Sequence, residues 1–112
     1  MDESAARERL VRRRAELDEE DRMSAIDRAP VTLDQDSVGR LSRIDAMQVQ
    51  AMALAAEQRR AAERRRIDAA LKRIDAGEFG YCLTCGDEIA GGRLAHDPSL
   101  SQCLGCASGE KR

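Results

Sequence analysis

The sequence predicts a mainly α-helical protein: an antiparallel helical hairpin (a coiled coil) followed by a small finger built around four cysteines. Two observations lead to this prediction. A helix-favouring pattern runs from Glu3 to Ala76 with one interruption at Pro30, and the last third of the chain holds two Cys-x-x-Cys pairs. The predicted domains are residues 1–77 for the hairpin, with its tip near residues 30–46, and residues 78–112 for the finger.

The composition leaves little apolar area for a hydrophobic core. The chain has 112 residues, of which 36% are charged and 2% aromatic, and Phe79 and Tyr81 are its large rings. Small domains with weak cores offset the entropy of folding through metals, disulfides or well-patterned helix pairs. We therefore expect both the helix pairing and the cysteines to contribute to stability.

The first predicted helix extends from Glu3 to Arg28. This segment contains no Gly or Pro and is rich in Ala, Arg, Glu and Leu, which favour helix. Its apolar residues are sparse: Leu10, Val11, Leu17, Met23 and Ile26. A helix with so few apolar residues needs a partner. Pro30 ends it, because the residue before a proline avoids the helical region.

The second predicted helix follows the short polar connection PVTLDQD. Asp36 or Ser37 can cap its start, and Gly77 can close it after Ala76. Apolar residues recur along it at three- and four-residue spacing: Leu41, Ile44, Met47, Ala51, Leu54, Ile67, Leu71 and Ile74. Helices joined by so short a connection run antiparallel, and we expect each to cover the apolar face of the other. The tip then lies at the acidic turn near Asp34 and Asp36.

The four cysteines have the spacing of a zinc site. Cys82 and Cys85 form one pair, Cys103 and Cys106 form the other, and the 17 residues from 86 to 102 separate them. Each Cys-x-x-Cys turn brings two thiolates to one side of a metal, and zinc prefers a tetrahedron of four. We predict one structural Zn²⁺ held by all four cysteines, with no open position for water or substrate.

Other roles for the cysteines fit the sequence less well. A redox-active Cys-x-x-Cys normally occurs as a single pair in a strand–helix–strand pattern, which is not the pattern here. Disulfides are rare in a reducing cytoplasm. His96 is an alternative ligand, but with four well-spaced cysteines we expect it to be a surface or loop residue.

The sequence carries no feature typical of a secreted, membrane or catalytic protein. Its first residues are charged where a signal peptide is apolar, and no segment is long enough to span a bilayer. The four cysteines are already assigned to a metal, and no phosphate-binding glycine motif is present. We expect a soluble, cytoplasmic protein that is not an enzyme.

Charge is distributed unevenly along the chain. Residues 1–36 hold 11 acids and 7 bases, residues 37–77 hold 5 acids and 9 bases, and residues 78–112 hold 5 acids and 3 bases. A finger that reads nucleic acid presents clustered Lys and Arg, which this one lacks. A hairpin with an acidic tip instead suits a basic protein channel or a metal-ion environment.

Three segments together resemble the DksA/TraR family, also called DnaK suppressor proteins: GEFGYCLTCGDEI, GGRLAHDPSLSQCLGC and VTLDQDSVGRLSRIDAMQ. The likeness covers nearly the whole chain and is strongest from Asp75 to Cys106. Only ASGEKR follows Cys106, so the resemblance is to a short form without the longer C-terminal helix of larger members. It implies a transcription regulator that binds bacterial RNA polymerase, not DNA, with the hairpin in the secondary channel and often with guanosine tetraphosphate (ppGpp).

The resemblance also implies residues that act at the polymerase, although the family's spacing of tip acids is not reproduced. Counting back from Cys82 places Asp45 and Ala46 within one helical turn of the family's Asp–Ala tip, and Asp34 and Asp36 are alternatives. The residues alone permit a simpler interpretation, in which Asp36 caps a helix and Asp45 is a solvated acid.

The same count places Arg59 and Arg66 at basic positions that the family uses for ppGpp. Asp97, in contrast, stands where a basic finger residue is expected, and the loss of a positive charge weakens a site for an anion. A solvated helix face, with the arginines of residues 59–66 paired to Glu57 and Glu63, is the simpler interpretation.

Two further functions stay open from the sequence. The basic middle of the chain permits a zinc-finger nucleic-acid-binding protein, and the long second helix permits a coiled-coil adaptor that self-associates. The leading hypothesis is a monomeric RNA polymerase regulator with no sequence-specific DNA binding and no membrane contact.

Overall fold

The structure is a computed structural model, and it describes residues 2–31 and 40–110, with the side chains of residues 2–31 and 42–110. Five helices lie in this part of the chain: α1 (Glu3–Met23), α2 (Ala25–Arg28), α3 (Arg40–Asp75), α4 (Gly91–His96) and α5 (Leu104–Ala107). An isolated antiparallel bridge joins Tyr81 to Glu88, and the described residues form no strand. The predicted mainly helical class is confirmed.

The first predicted helix is interrupted at Ser24, where the sequence predicted a continuous helix to Arg28. The carbonyl of Asp21 accepts hydrogen bonds from the Ser24 hydroxyl at 3.3 Å and from the Arg28 guanidinium at 2.6 Å. In a regular helix this carbonyl accepts a hydrogen bond only from a backbone amide, so the two side chains compete with that amide. The short helix α2 continues beyond the turn and ends before Pro30, as the sequence predicted.

Gly77 closes α3 as predicted. The Gly77 amide donates to the carbonyl of Ile74 at 3.1 Å, and the Glu78 amide donates to that of Arg73 at 2.8 Å. Gly77 has a positive φ of 72°, the left-handed conformation that this type of helix ending requires. The candidate caps at the other end, Asp36 and Ser37, lie outside the described residues.

The chain divides into two compact units, and the division falls inside both long helices. The first unit comprises Met1–Ala15 and Arg64–Arg112, and the second comprises Glu16–Glu63. The boundary at residue 77 stays a prediction about domain organisation.

The first unit contains most of the buried apolar residues, which come from helical and finger segments alike. They are Ala6, Leu10, Ile67, Ala70, Ile74, Phe79, Cys82, Ile89, Leu94 and Cys103. Two ion pairs, Arg7–Asp75 and Arg14–Asp68, join α1 to α3 with residue numbers that rise on one helix as they fall on the other. The two helices are therefore antiparallel in this unit.

The second unit has a different construction, because Leu17 is its one buried apolar residue among those described. A polar network joins its helices instead. Arg60 donates to the Asp21 carboxylate at 2.5 Å and to the Ser24 hydroxyl at 2.9 Å, and Arg28 pairs with Glu57. These contacts also run in antiparallel order.

The expectation that each helix covers the apolar face of the other is wrong for the second unit. Its exposed large apolar residues are Met23, Ile26, Ile44, Met47, Val49, Met52 and Leu54, which are between 40% and 87% exposed. Two of them, Ile26 and Val49, line an open groove of about 320 Å³, together with Ala29, Val31 and Ala46. In this unit, the contacts of Arg28 and Arg60 join the helices where the sequence predicted apolar contacts.

A search of the described helices for one with the length and apolar character needed to cross a membrane found none.

Candidate metal centre

The first cysteine pair lies on a tight turn between the bridged residues Tyr81 and Glu88. The Cys82 amide donates to the carbonyl of Asp87 at 2.7 Å, and the Gly86 amide donates to that of Cys82 at 2.9 Å. Gly86 has φ of 81°, a conformation open to glycine at little cost. The turn therefore directs the thiols of Cys82 and Cys85 to one side.

The second pair brackets the start of α5. Cys103 is the N-cap of this helix, and its sulfur accepts a hydrogen bond from the Cys106 amide at 3.5 Å. The Ala107 amide donates to the carbonyl of Cys103 at 2.9 Å. One helical turn thus brings the two sulfurs together.

All four cysteines converge on one point. Their sulfur atoms lie within 4.8 Å of one another, and the sulfurs of Cys85 and Cys103 are 3.7 Å apart. A tetrahedral ion with Zn–S bonds of about 2.3 Å sets sulfurs roughly 3.8 Å apart. Cys82, Cys85, Cys103 and Cys106 are therefore placed to bind a metal ion. His96 is exposed and is not part of this group.

The electrostatics of the four thiols favour a bound cation. Hydrogen bonds from backbone amides, that of Cys103 above all, lower the pKa of Cys82 to about 6, which favours a thiolate. Burial and the neighbouring sulfurs raise the pKa of Cys106 to about 12. Four thiolates this close together repel one another, so a divalent cation is needed to hold all of them deprotonated.

The segment between the two pairs is fixed by a turn and by two arginines. The Asp97 carboxylate accepts hydrogen bonds from the Ser99 amide at 3.0 Å and from its hydroxyl at 2.7 Å. Further along, Arg73 donates to the carbonyl of Leu100 at 3.4 Å, and Arg93 donates to that of Gln102 at 3.3 Å. Neither arginine was expected from the sequence to have this role. Arg73 lies on α3 between Ala70 and Ile74, and this position among apolar residues is the sequence feature that could have indicated its burial.

The finger carries few cations, in agreement with the sequence. Arg93 is the one base among its described residues, and its guanidinium is engaged with the chain. Arg9 of α1 donates to the carbonyls of Ala95 and His96 at the end of α4. The described part of the finger therefore presents no cluster of Lys and Arg for phosphate binding.

The other predicted site residues are placed as follows. Asp45 and Ala46 are exposed on α3, whereas Asp34 and Asp36 lie outside the described residues. Arg59 and Arg66 are exposed on the same helix. They fall in different compact units, so no single site is assigned to them. Glu57, a predicted partner of the arginines of residues 59–66, instead pairs with Arg28.

Comparison with known proteins gives matches to DksA in sequence and in fold. No protein-family model matches the chain. The RNA polymerase-binding transcription factor DksA of Haemophilus influenzae is 43% identical over 42 residues, which are 38% of this chain and 29% of that protein. DksA of Escherichia coli K12 is 38% identical over 42 residues, again 38% of this chain, and 28% of that protein.

An uncharacterized protein of Aquifex aeolicus is 42% identical over 48 residues, which are 43% of this chain and 33% of that protein. The matched segments thus span about a third or less of these curated relatives, and the DksA matches fall in the C-terminal part of this chain.

The fold comparison extends much further along the chain. The solved structure of transcription factor DksA2 from Pseudomonas aeruginosa matches with a TM-score of 0.74, covering 96% of this chain and 81% of that one at 21% identity. The fold is shared over nearly the whole chain, and the sequence matches to DksA fall in its C-terminal part. The resemblance to the DksA/TraR family is therefore confirmed.

Proposed function

We propose that the four cysteines hold one structural Zn²⁺. Thiolates are soft ligands that zinc prefers, and the spacing of the sulfurs suits a tetrahedron. The four protein ligands leave no position for a substrate, so the ion would stabilise the finger and would not take part in a reaction. Metal analysis of the purified chain tests this proposal, with one zinc per chain as the expected result.

The chain is further proposed to regulate transcription by binding bacterial RNA polymerase. The observation that supports this function best is the fold shared with DksA2 over 96% of the chain. The C-terminal part of the chain adds sequence likeness to proteins named as RNA polymerase-binding factors. In this proposal the hairpin enters the secondary channel and its tip acts near the active centre, in the cytoplasm and without an enzymatic activity of its own.

The decisive experiment is binding of the zinc-loaded full chain to purified core RNA polymerase. We expect saturable binding that is lost when a second protein occupies the secondary channel. Absence of binding at micromolar concentration, with the zinc retained, would mean that the fold is kept without the partner. Steeply salt-dependent DNA retention would then favour a nucleic-acid-binding protein, and light scattering would detect a self-associating adaptor.

Asp45 and Ala46 are proposed as tip residues that act on the polymerase. Both are exposed on α3, so neither is committed to packing in the described chain. Asp45→Asn removes the charge and keeps the shape, and we expect it to leave polymerase binding unchanged while promoter inhibition is lost. Glu78→Gln is the matched control, because it neutralises an exposed acid after the other end of α3. Full inhibition by Asp45→Asn would remove Asp45 from the proposal and leave Asp34 and Asp36 as candidates.

Arg59 and Arg66 are each proposed, separately, as a candidate contact for ppGpp. Their exposure leaves both guanidinium groups accessible to phosphate, whereas Arg60 is bonded to Asp21 and Ser24. Arg59→Ala and Arg66→Ala should reduce the response of transcription to ppGpp while leaving the basal effect of the protein unchanged. Arg65→Ala, another exposed arginine of α3, is the control. An equal response in all three variants would contradict this part of the proposal.

A further inference from the structure

The segment that leads into the second cysteine pair is held at three successive carbonyl oxygens. Those of Leu100 and Gln102 accept hydrogen bonds from Arg73 and Arg93, as described above. The carbonyl between them, of Ser101, accepts from the Leu83 amide at 2.8 Å. The two arginines thus contact the first and the last of these carbonyls, and the first cysteine turn contacts the middle one.

The two arginines come from different elements of the first unit. Arg73 lies in the last turn of α3, and Arg93 lies in α4. Arg73 is 9% exposed, and in the described part of the chain it forms no ion pair. The Nε of Arg93 is buried without a hydrogen-bond partner among the described residues. A buried guanidinium, as in Arg73, and a buried Nε, as in Arg93, are costly when no carboxylate among the described residues pairs with them, which sets both residues apart from ordinary surface arginines.

We infer that Arg73 and Arg93 position the second cysteine pair for metal binding, by holding the segment Leu100–Gln102 that precedes Cys103. The inference rests on the proposed zinc site. Replacing a residue that orients a metal ligand from outside the coordination shell commonly lowers metal affinity by about 10–100-fold. Cys82 and Cys85 lie on a turn closed by its own backbone hydrogen bonds, and the Leu83 amide joins this turn to Ser101, so the first pair depends less directly on the two arginines than the second pair does.

The test variant is Arg73→Met in the zinc-loaded full chain. Methionine retains most of the volume of arginine and removes a buried charge that has one long hydrogen bond, so the fold should be preserved. The measurement is limited alkylation by iodoacetamide, followed by mass spectrometry of chains that carry a single label. In the unaltered chain the exposed Cys85 should be labelled first.

We expect the ratio of labels on Cys103 and Cys106 to labels on Cys82 and Cys85 to rise about tenfold in Arg73→Met. Transfer of zinc to a chromophoric chelator should be faster in the same variant. Arg65→Met, which replaces an exposed arginine of the same helix, is the control and should change neither quantity. If circular dichroism shows that Arg73→Met does not fold, Arg93→Met provides the same test through the Gln102 carbonyl.

Two results would overturn the inference. A rise in labelling that is equal for both cysteine pairs would indicate general loosening of the finger, and unchanged labelling of folded Arg73→Met and Arg93→Met would indicate no positioning role. The outcome is independent of RNA polymerase, so failure here and failure of the proposed function can be told apart. An unaltered chain that holds no zinc would contradict the zinc proposal itself.

Discussion

Asp97 has a local structural role at the position where the family resemblance led us to expect a basic residue. Its carboxylate accepts two hydrogen bonds from Ser99, whose side chain is buried, and its carbonyl accepts from the Leu100 amide at 3.3 Å. Lysine or arginine has no acceptor on its side chain and could not make this turn. The acid at 97 therefore contributes to the geometry of the segment that leads to Cys103.

Replacing Asp97 with Ala should destabilise the finger. The change leaves the buried Ser99 hydroxyl without its acceptor, which costs about 1–3 kcal/mol. Thermal unfolding of the zinc-loaded chain measures the effect. Asp97→Asn keeps one oxygen acceptor and is the matched control, for which we expect a smaller loss. Equal losses from the two variants would show that the charge of Asp97 matters more than its hydrogen bonds.

At the scale of elements, the end of α3 depends on one backbone conformation. Gly77 has φ of 72°, and a Cβ atom built there meets no heavy atom within 4 Å. The cost of a side chain at this position is therefore backbone strain alone.

Gly77→Ala should lower the free energy of unfolding by about 1 kcal/mol, because L-residues other than Asn and Asp rarely adopt this conformation. Gly91→Ala is a stringent control: a Cβ there also meets open space, but Gly91 is the first residue of α4 and has no positive φ. We expect that control to be neutral or slightly stabilising. Chemical denaturation distinguishes the two, and equal effects would mean that the strain argument is wrong.

The second unit owes its helix pairing to charge more than to apolar contact. Arg60 and Asp21 are 13% and 24% exposed at their side chains, and both contact the interruption at Ser24 or lie beside it. Removing one partner of such a pair leaves an uncompensated, largely buried charge.

Asp21→Leu and Arg60→Leu should each destabilise the chain by about 1–3 kcal/mol, a range between the values for exposed and buried pairs. The double variant replaces the pair with apolar side chains, so its unfolding free energy should lie close to that of the unaltered chain. A double-mutant cycle measured by denaturation gives the coupling energy. Additive losses would indicate that the two side chains do not stabilise each other.

At the scale of the whole molecule, the sequence predicts those features that depend on local pattern. Helical periodicity, Pro30, Gly77 and the spacing of the cysteines each act over a few residues, and the helical class and the metal-binding group follow from them. These features were visible without knowledge of any long-range contact.

Burial was predicted less well because it depends on what faces each side chain. Met47 and Leu54 continue the same stripe as Ile67 and Ile74, yet the first two are exposed and the last two are buried. Periodicity identifies a face of a helix, but it does not say how far a partner covers that face. Arg73 shows the opposite error: it is buried, although a charged residue is normally assigned to the surface.

Removal of the metal should affect more than the finger, because the buried residues of the first unit come from the finger and from both long helices. Loss of the proposed zinc would remove a constraint on residues 78–110, whose own apolar core is small. Leu10 and Ile74 are buried in the same compact unit as Phe79 and Leu94.

We therefore expect a strong chelator to abolish the hydrogen-exchange protection of the finger and to lower that of residues 3–15 and 64–75 together with it. Mass spectrometry of exchanged peptides makes the comparison, with readdition of zinc as the control for reversibility. If the helical segments keep full protection while the finger loses its own, the helices of the first unit are stable without the finger.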